Sequence, residues 1–198
     1  MQAARGTSLS DDTTSQPAHQ DPRRRRRLWA RFAAVVLVFY AIDVVSKIVA
    51  VDRLTGREDI PVVGDLLVLH LTRNPGAAFS AGTEFTEVLS CIAIAAVGIV
   101  LWLSRRIGSA GWAFGLGLLL AGVAGNLTDR LLREPGPLRG HVIDFLMLPN
   151  WPVFNIADMC INVAAGVILI QAFRGVRIDG TRESQEHDDD PETQEPTE

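Results

Sequence analysis

The chain has 198 residues, of which 47% are hydrophobic and 21% charged, and its formal net charge is −4. Its apolar residues stand in long blocks and its mean hydropathy is positive. An ordinary soluble domain is therefore excluded, and an integral membrane protein is predicted. The negative net charge, and the position of a five-arginine run directly before an apolar block, argue against a nucleic-acid partner.

Four apolar blocks follow one another along the chain, at about 28–50, 86–104, 111–132 and 155–173. Each is close to the ~20 residues that an α-helix needs to cross the hydrocarbon core of a bilayer. The sequence therefore predicts an all-α membrane protein with four transmembrane helices. The first block is too long for the apolar part of a signal peptide and lacks a convincing cleavage site, so we expect it to be retained as an anchor.

Basic residues flank these blocks unevenly. Arginines cluster before the first block, between the second and third, and after the fourth, at 23–27, 31, 105–106, 174 and 177. Because Lys and Arg near short loops favour the cytoplasmic side, both termini are predicted to be cytoplasmic. Residues 1–27 are expected to form a disordered basic tail and residues 175–198 a disordered acidic tail.

The segment between the first two blocks, about 51–83, is too long for a tight turn. Leu67, Leu69 and Leu71 alternate with other residues, which is the period of a strand with two different faces. We therefore expect a small extracytoplasmic β element between the first two helices. The sequence Asn-Pro-Gly at 74–76 predicts a turn that points side chains to a specific place, and a plain connecting turn is the alternative.

Polar residues lie within three of the apolar blocks, toward the outer end in the predicted topology. They are Asp43 and Lys47 in the first, Asn126, Asp129 and Arg130 in the third, and Asn155, Asp158 and Asn162 in the fourth. Within each block the spacing places them close together along the helix, so a shared interior site would satisfy them. The alternatives are a structural ion pair for Asp43 with Lys47 and helix anchoring for Asp129 with Arg130.

Asp144 and Asp158 are fourteen positions apart around the start of the fourth block. A carboxylate at membrane depth costs about 2.5–3.5 kcal/mol, so it needs a functional or pairing explanation. Two carboxylates that share a proton can deprotonate a water molecule and protonate a leaving amine, as peptide hydrolysis requires. Crowding two like charges raises one apparent pKa, and which Asp is the base stays open. No HExxH motif, metal-ligand cysteine spacing or Gly-rich phosphate loop favours another mechanism.

Four separated motifs resemble those of a known family. They are DVVSK at 43–47, NPGAAF at 74–79, GVAGNLTDR at 122–130, and VIDF followed by WPVFNIAD, which ends at residue 158. In this order, along residues 28–174, they resemble the bacterial lipoprotein signal peptidases, also called signal peptidase II. The resemblance implies a membrane aspartic endopeptidase that removes signal peptides from diacylglyceryl-modified prolipoproteins, immediately before the lipidated cysteine.

The resemblance also implies roles for single residues, with Asp144 and Asp158 as the catalytic dyad. The positions that hold the substrate or shape the site are Asn74, Asn126, Arg130 and Asn155. The positions that support the structure are Asp43, Lys47, Gly76 and Asp129. Neither a metal nor a cofactor is expected. The expected partners are prolipoproteins and membrane lipids, without nucleic acid, and the expected place is the bacterial cytoplasmic membrane with the active site toward the extracytoplasmic face.

Two other functional classes are compatible with polar residues inside membrane helices. A small proton-coupled transporter would use them as a proton relay and would place the carboxylates near the bilayer midplane. A non-enzymatic assembly or chaperone protein would use the polar stripe to bind partner helices, and it would tolerate Asp158→Asn. The four motifs favour the peptidase over both.

Overall fold

The computed structural model describes residues 22–76 and 85–182. Within these ranges it has four long helices and three strands: α1 (Pro22–Leu54), β1 (Ile60–Val63), β2 (Leu67–Asn74), α2 (Thr86–Ser104), α3 (Ala110–Leu132), β3 (Val142–Met147) and α4 (Ile156–Phe173). All four helices are long and apolar enough to cross a membrane. The predicted fold class is therefore confirmed, and α2, α3 and α4 begin and end within one residue of the predicted bounds.

The start of α1 differs from the prediction. The helix begins at Pro22 rather than at 28, so residues 22–27 of the expected disordered tail are helical, and it continues to Leu54 rather than 50. Proline suits the first helical position because its φ is preset and its missing N–H needs no partner there, and arginine is a good helix former. At 33 residues the helix is about 50 Å long, so it extends beyond the ~30 Å hydrocarbon core. Residues 1–21 lie outside the described residues.

The other tail is also shorter than expected. Residues 175–182 form an ordered turn in which Val176 pairs with Arg182. The carbonyl of Ile178 accepts a hydrogen bond of 2.8 Å from the amide of Gly108, and that of Val176 accepts one of 2.8 Å from the Trp112 indole. These contacts tie the turn to the start of α3, so the prediction of disorder is wrong for this part. Residues 183–198 lie outside the described residues.

The three strands form one antiparallel sheet in the order β1-β2-β3. The β element expected between α1 and α2 is present as β1 and β2, whereas β3 lies between α3 and α4 and was not predicted. Its first four residues are all buried, so β3 lacks the apolar–polar alternation that marks a strand in a sequence. In the register, Thr72 pairs with Asp144 and Asn74 with Val142, so the Asn74 and Asp144 side chains are diagonal neighbours on one face.

Helix α3 is the inner helix of the bundle. Half of its apolar window is buried, against 17% to 22% in the other three helices, and it packs against α1, α2 and α4. Glycines of α3 permit this close packing. A side chain at Gly122 would meet the backbone of Ala157 in α4, and one at Gly117 would meet Val35 in α1. Large apolar side chains on the outer helices, such as those of Leu37 and Ile92, are exposed and form a lipid-facing surface.

Gly125 of α3 is expected to be intolerant of even one added methyl group. A Cβ at this position would run into the buried carboxylate of Asp43 and contact Ala157. We expect Gly125→Ala to lower the free energy of unfolding by about 1–3 kcal/mol, which thermal unfolding in detergent would measure. The matched control is Gly98→Ala in α2, where a Cβ meets nothing within 4 Å. A Gly125→Ala protein as stable as the Gly98→Ala protein would contradict this packing.

Candidate active site

Asp144 lies on β3 with 2% of its surface exposed. Its Oδ2 accepts a hydrogen bond of 3.0 Å from the Asn74 amide, and its Oδ1 accepts one of 2.6 Å from the Asn155 amide. Burial raises the pKa of Asp144 to about 6, and the charge of Asp158 acts in the same direction. The two amide donors oppose this shift, but the loss of solvation outweighs them. Asp144 is therefore a carboxyl group that keeps a proton more readily than an exposed aspartate.

Asp158 is the third residue of α4 and is half-buried. It forms a capping box with Asn155, the residue that precedes the helix. The Asp158 amide donates to the Asn155 side chain over 2.9 Å, and the Asn155 amide donates to Asp158 Oδ2 over 3.2 Å. The other carboxylate oxygen, Oδ1, accepts a bond of 2.9 Å from the Asn126 amide. Helix capping and a neighbouring helix thus fix the orientation of this carboxylate.

Asn155 connects the two aspartates, and it is fully buried. Its side-chain oxygen caps α4 at Asp158, while its side-chain NH₂ group donates to Asp144 and, over 3.2 Å, to Asn126. An asparagine side chain has one oxygen and one NH₂ group, and both are used here. The sheet and helix α4 are therefore held in one arrangement by a single side chain between the two carboxyl groups.

Both aspartates line a cavity of about 270 Å³ between the sheet, α3 and α4. Its polar wall also includes Asn74, Gly76, Asn126, Arg130 and Asn162, all singled out in the sequence. An apolar wall faces them, formed by Val142, Trp151, Pro152, Val153, Phe154 and Ile161. Trp151 is 61% exposed and stands at the rim. An interior with a few convergent polar groups beside apolar surface is typical of a binding site for an amphipathic molecule.

A buried cluster of charges lies next to the cavity. Lys47 of α1 is 1% exposed and forms ion pairs of 2.9 Å with Asp43 and with Asp129. It also donates to the Asn126 side-chain oxygen over 2.9 Å, so three oxygens surround its ammonium group. Asp43 accepts a further bond of 2.8 Å from the amide of Ala157 in α4. The predicted ion pair of Asp43 with Lys47 is present, and it reaches the aspartate pair through Asn126.

Asp129 and Arg130 are neighbours in the sequence but have different partners. Asp129 pairs with Arg133 and Lys47, and it accepts a bond of 3.3 Å from the amide of Ile143 in β3. This joins the end of α3 to the strand that carries Asp144. The alternative was that the neighbouring charges of Asp129 and Arg130 only anchor the helix at an interface. Among the described ion pairs, Asp129 pairs with Lys47 and Arg133 instead.

The turn at 74–76 is held from two sides. Asn74 accepts a bond of 2.9 Å from the Gly76 amide, and Arg130 donates to the Gly76 carbonyl over 2.6 Å and to that of Pro75 over 3.3 Å. The Thr86 hydroxyl donates to the same Pro75 carbonyl over 2.7 Å. This turn is more than a connection, since it points the Asn74 amide at Asp144. The last three residues of the predicted motif, 77–79, lie outside the described residues.

The structure brings the predicted site residues together at one end of the helix bundle, where α1 and α3 end and α4 begins. Sequence reasoning missed the apolar cavity wall and the anchoring of the turn by Thr86. The wall residues at 151–154 did carry a signal, because they stand directly before Asn155 within the WPVFNIAD motif. Within the described ranges, no three His, Cys, Asp or Glu side chains come together as a metal site would require.

Comparisons with known proteins agree with these observations. The model of the family described as Signal peptidase (SPase) II matches residues 35–174. The lipoprotein signal peptidase of Mycobacterium avium (strain 104) is 47% identical over 163 residues, covering 82% of this chain and 87% of that protein. That of Mycolicibacterium smegmatis is 49% identical over 151 residues, covering 76% of this chain and 62% of that protein. A bacterial membrane enzyme solved by the in meso method at 2.3 Å resolution matches this structure with a TM-score of 0.66. The match covers 78% of this chain and 92% of that one at 22% sequence identity, so it supports the fold alone. The chain belongs to the signal peptidase II family.

Proposed function

We propose that this protein is a metal-independent aspartic endopeptidase that cleaves diacylglyceryl-modified prolipoproteins immediately before the lipidated cysteine. Signal-peptide cleavage in lipoprotein maturation follows from membership of the family. The aspartic mechanism rests on one observation above the others: Asp144 and Asp158 come from different elements, line the same cavity and are both bonded to Asn155. We assign them as the catalytic dyad.

In the proposed reaction, Asp158 is the base and Asp144 is the acid. The Asp158 carboxylate takes a proton from a water molecule while the water oxygen bonds to the scissile carbonyl carbon, and Asp144 gives its proton to the carbonyl oxygen. The resulting diol then collapses: the C–N bond breaks, the leaving nitrogen takes the proton from Asp158, and a diol proton returns to Asp144. The raised pKa of Asp144 supports this assignment, because the acid must hold a proton before the first step.

The surrounding polar residues have positioning roles in this proposal. Asn74 and Asn155 fix the Asp144 carboxyl, and Asn126 fixes that of Asp158. Arg130 acts through Asn74, because it holds the turn that carries this residue. Fixed donors of this kind hold a reacting group in a productive orientation at little further entropic loss.

We further propose that both termini are cytoplasmic and that the cavity opens toward the extracytoplasmic leaflet. The arginine clusters lie at one end of the helix bundle, near 22–31, 105–106 and 174–177, and the cavity lies at the other. With this placement, the acyl chains of a lipidated substrate stay in the bilayer while its peptide bond meets the dyad. The position of Asp144 and Asp158 at one end of the bundle also disfavours a proton-relay transporter, which needs carboxylates near the bilayer midplane.

The test is the cleavage of a synthetic lipobox peptide that carries a diacylglyceryl cysteine, by purified protein in detergent, measured with and without a chelator. We expect a product that begins at the modified cysteine, at the same rate with and without chelator. Cleavage that stops with chelator and returns with added Zn²⁺ would contradict the metal-independent mechanism. If the folded protein left the modified peptide uncut, the proposed substrate would be wrong.

The pH dependence tests the role of Asp144 as the acid. Because the protonated form is the active one, kcat/KM is expected to fall as pH rises through about 6, the pKa of Asp144. Asn74 donates to the ionised carboxylate and so holds this pKa down. Asn74→Ala should therefore move the alkaline limb of the pH profile up by about 0.5–1 unit.

A matched control for this shift is Asn162→Ala. Asn162 also lines the cavity, but its amide donates to the backbone carbonyl of Asp158 rather than to a carboxylate. Its replacement should leave the limb in place. A limb that stays fixed in Asn74→Ala, or that moves down, would show that Asp144 does not control it.

A further inference from the structure

A second and larger cavity, of about 910 Å³, lies at the end of the bundle opposite to the aspartate pair. Four arginines line it: Arg25 and Arg26 in the first turns of α1, and Arg105 and Arg106 directly after the end of α2. Trp29 and Ile107 add apolar surface. We call this cavity the arginine cleft. The peptidase mechanism makes no use of it.

The four arginines of the arginine cleft have few partners within the described residues. Among the ion pairs of residues 22–76 and 85–182, none includes any of the four arginines. Arg25 donates weakly to the Arg105 carbonyl over 3.4 Å, and the Arg106 guanidinium stacks at 4.7 Å from the Trp102 ring centre. Asp179 also borders the cleft, but its carboxylate accepts hydrogen bonds of 2.9 and 2.7 Å from Thr181 in its own turn.

Tryptophans mark the depth at which the arginine cleft lies in the membrane. Trp29, Trp102 and Trp112 come from three different helices and all lie at this end of the bundle. Tryptophan concentrates at the level of lipid headgroups, where one part of the ring is apolar and the other hydrated. The arginines stand about one turn further out on α1 and α2, at the level of the lipid phosphates. Trp102 and Leu101 are about half exposed and offer apolar surface beneath them.

We propose that the arginine cleft binds the headgroup of an anionic phospholipid, with the arginines on its phosphate and its acyl chains along the apolar face of α2. Clustered basic residues beside membrane helices favour anionic headgroups, and guanidinium groups suit phosphate oxygens because their donors are arranged as a fork. The cleft combines a cationic rim with the apolar surfaces of Trp29 and Ile107. An amphipathic ligand satisfies both. The site is independent of the peptidase assignment.

The acidic segment 183–198 of the same chain is the other anionic candidate. It follows the turn that borders the arginine cleft, and it contains eight Asp and Glu residues. However, apart from its two prolines it has no Ala, Val, Ile, Leu, Met, Phe, Tyr or Trp to cover the apolar part of the cleft. The apolar lining of the cleft therefore favours the lipid as its occupant. The experiment also measures lipid binding after aspartates of this segment are neutralised.

The experiment measures lipid binding to the full chain in detergent by native mass spectrometry, with phosphatidylglycerol and phosphatidylcholine as probes. Wild-type protein should retain phosphatidylglycerol in preference to phosphatidylcholine. The double variant Arg26→Gln with Arg106→Gln should bind phosphatidylglycerol about 25-fold more weakly, since each arginine near an anionic surface contributes roughly fivefold. The matched control is Arg53→Gln with Arg57→Gln, which removes two exposed arginines at the opposite end.

The binding of each lipid and the behaviour of each variant distinguish the possible occupants of the cleft. Equal binding of the two lipids by wild-type protein would overturn the proposal, as would an equal loss in the control variant. Asp188→Asn, Asp189→Asn and Asp190→Asn together should leave phosphatidylglycerol binding within twofold. A gain as large as the loss in the arginine variant would instead identify the acidic segment as the occupant. Thermal unfolding of each variant, unchanged from wild type, confirms that the comparison is between folded proteins.

Discussion

Asp144→Asn and Asp158→Asn should each lower the rate of cleavage of the diacylglyceryl peptide by about a thousandfold or more. Each removes the acid or the base from a reaction that needs both, and a positioned acid–base group contributes about 10²–10⁴-fold. The losses should not add in the double variant, because the acid and the base act in the same step and the dyad works as a unit. Single-turnover cleavage, followed by mass spectrometry of the released signal peptide, measures all three variants.

The hydrogen bonds of the site make these variants suitable for the test. Asparagine at 158 keeps an oxygen that accepts from the Asn155 or the Asn126 amide, so the capping box can persist. We therefore expect a folded protein that still binds the uncleaved peptide with an affinity within a few-fold of wild type. The matched control is Asp52→Asn, an exposed residue whose pairing with Arg53 lies outside the cavity.

The control should cleave at the wild-type rate, since exposed ion pairs contribute little. An active Asp158→Asn protein would contradict the dyad and would favour the assembly or chaperone class, whose polar stripe binds partners without chemistry. If the Asp158→Asn protein lost both peptide binding and cleavage, Asp158 would serve the structure of the site rather than the reaction.

The membrane helices could be predicted because their signal is local. A block of about 20 apolar residues crosses a bilayer whatever surrounds it, so the bounds of α2, α3 and α4 were accurate. The start of α1 was missed because arginines that prefer water still continue a helix once it has left the hydrocarbon core. Strand β3 was missed because it is covered on both faces, and burial on both faces removes the alternation that identifies a strand.

The composition of the site was predicted from motifs, whereas its connections were not. The i, i+4 spacing indicated that Asp43 and Lys47 could pair, and they do. That Lys47 also pairs with Asp129 of α3 depends on how two helices pack, and a single sequence does not state this. Asn155 was predicted only as a residue that holds the substrate or shapes the site, so its double role was not predicted. Its capping of α4 is local, but its bond to Asp144 needs a strand that the sequence did not reveal.

Lys47→Met should produce the largest loss of stability of any single change considered. The substitution keeps a long side chain but leaves the buried carboxylates of Asp43 and Asp129 facing each other without the ammonium group between them. Removing one partner of a buried ion pair destabilises proteins by about 3–5 kcal/mol, since a buried charge is left uncompensated. Asn126 also loses the bond that orients it toward Asp158, so the cleavage rate should fall as well.

The free energy of unfolding in detergent measures this effect, and a second substitution tests its cause. Asp43 has Lys47 as its cationic partner, whereas Asp129 also pairs with Arg133. Adding Asp43→Asn to Lys47→Met should therefore recover at least about 1 kcal/mol, a coupling within the usual range for contacting residues. The matched control is Arg53→Met, which breaks an exposed pair and should cost about 1 kcal/mol or less. If Lys47→Met were no more destabilising than Arg53→Met, or if Asp43→Asn gave no recovery, the buried cluster would not stabilise the fold through its charges.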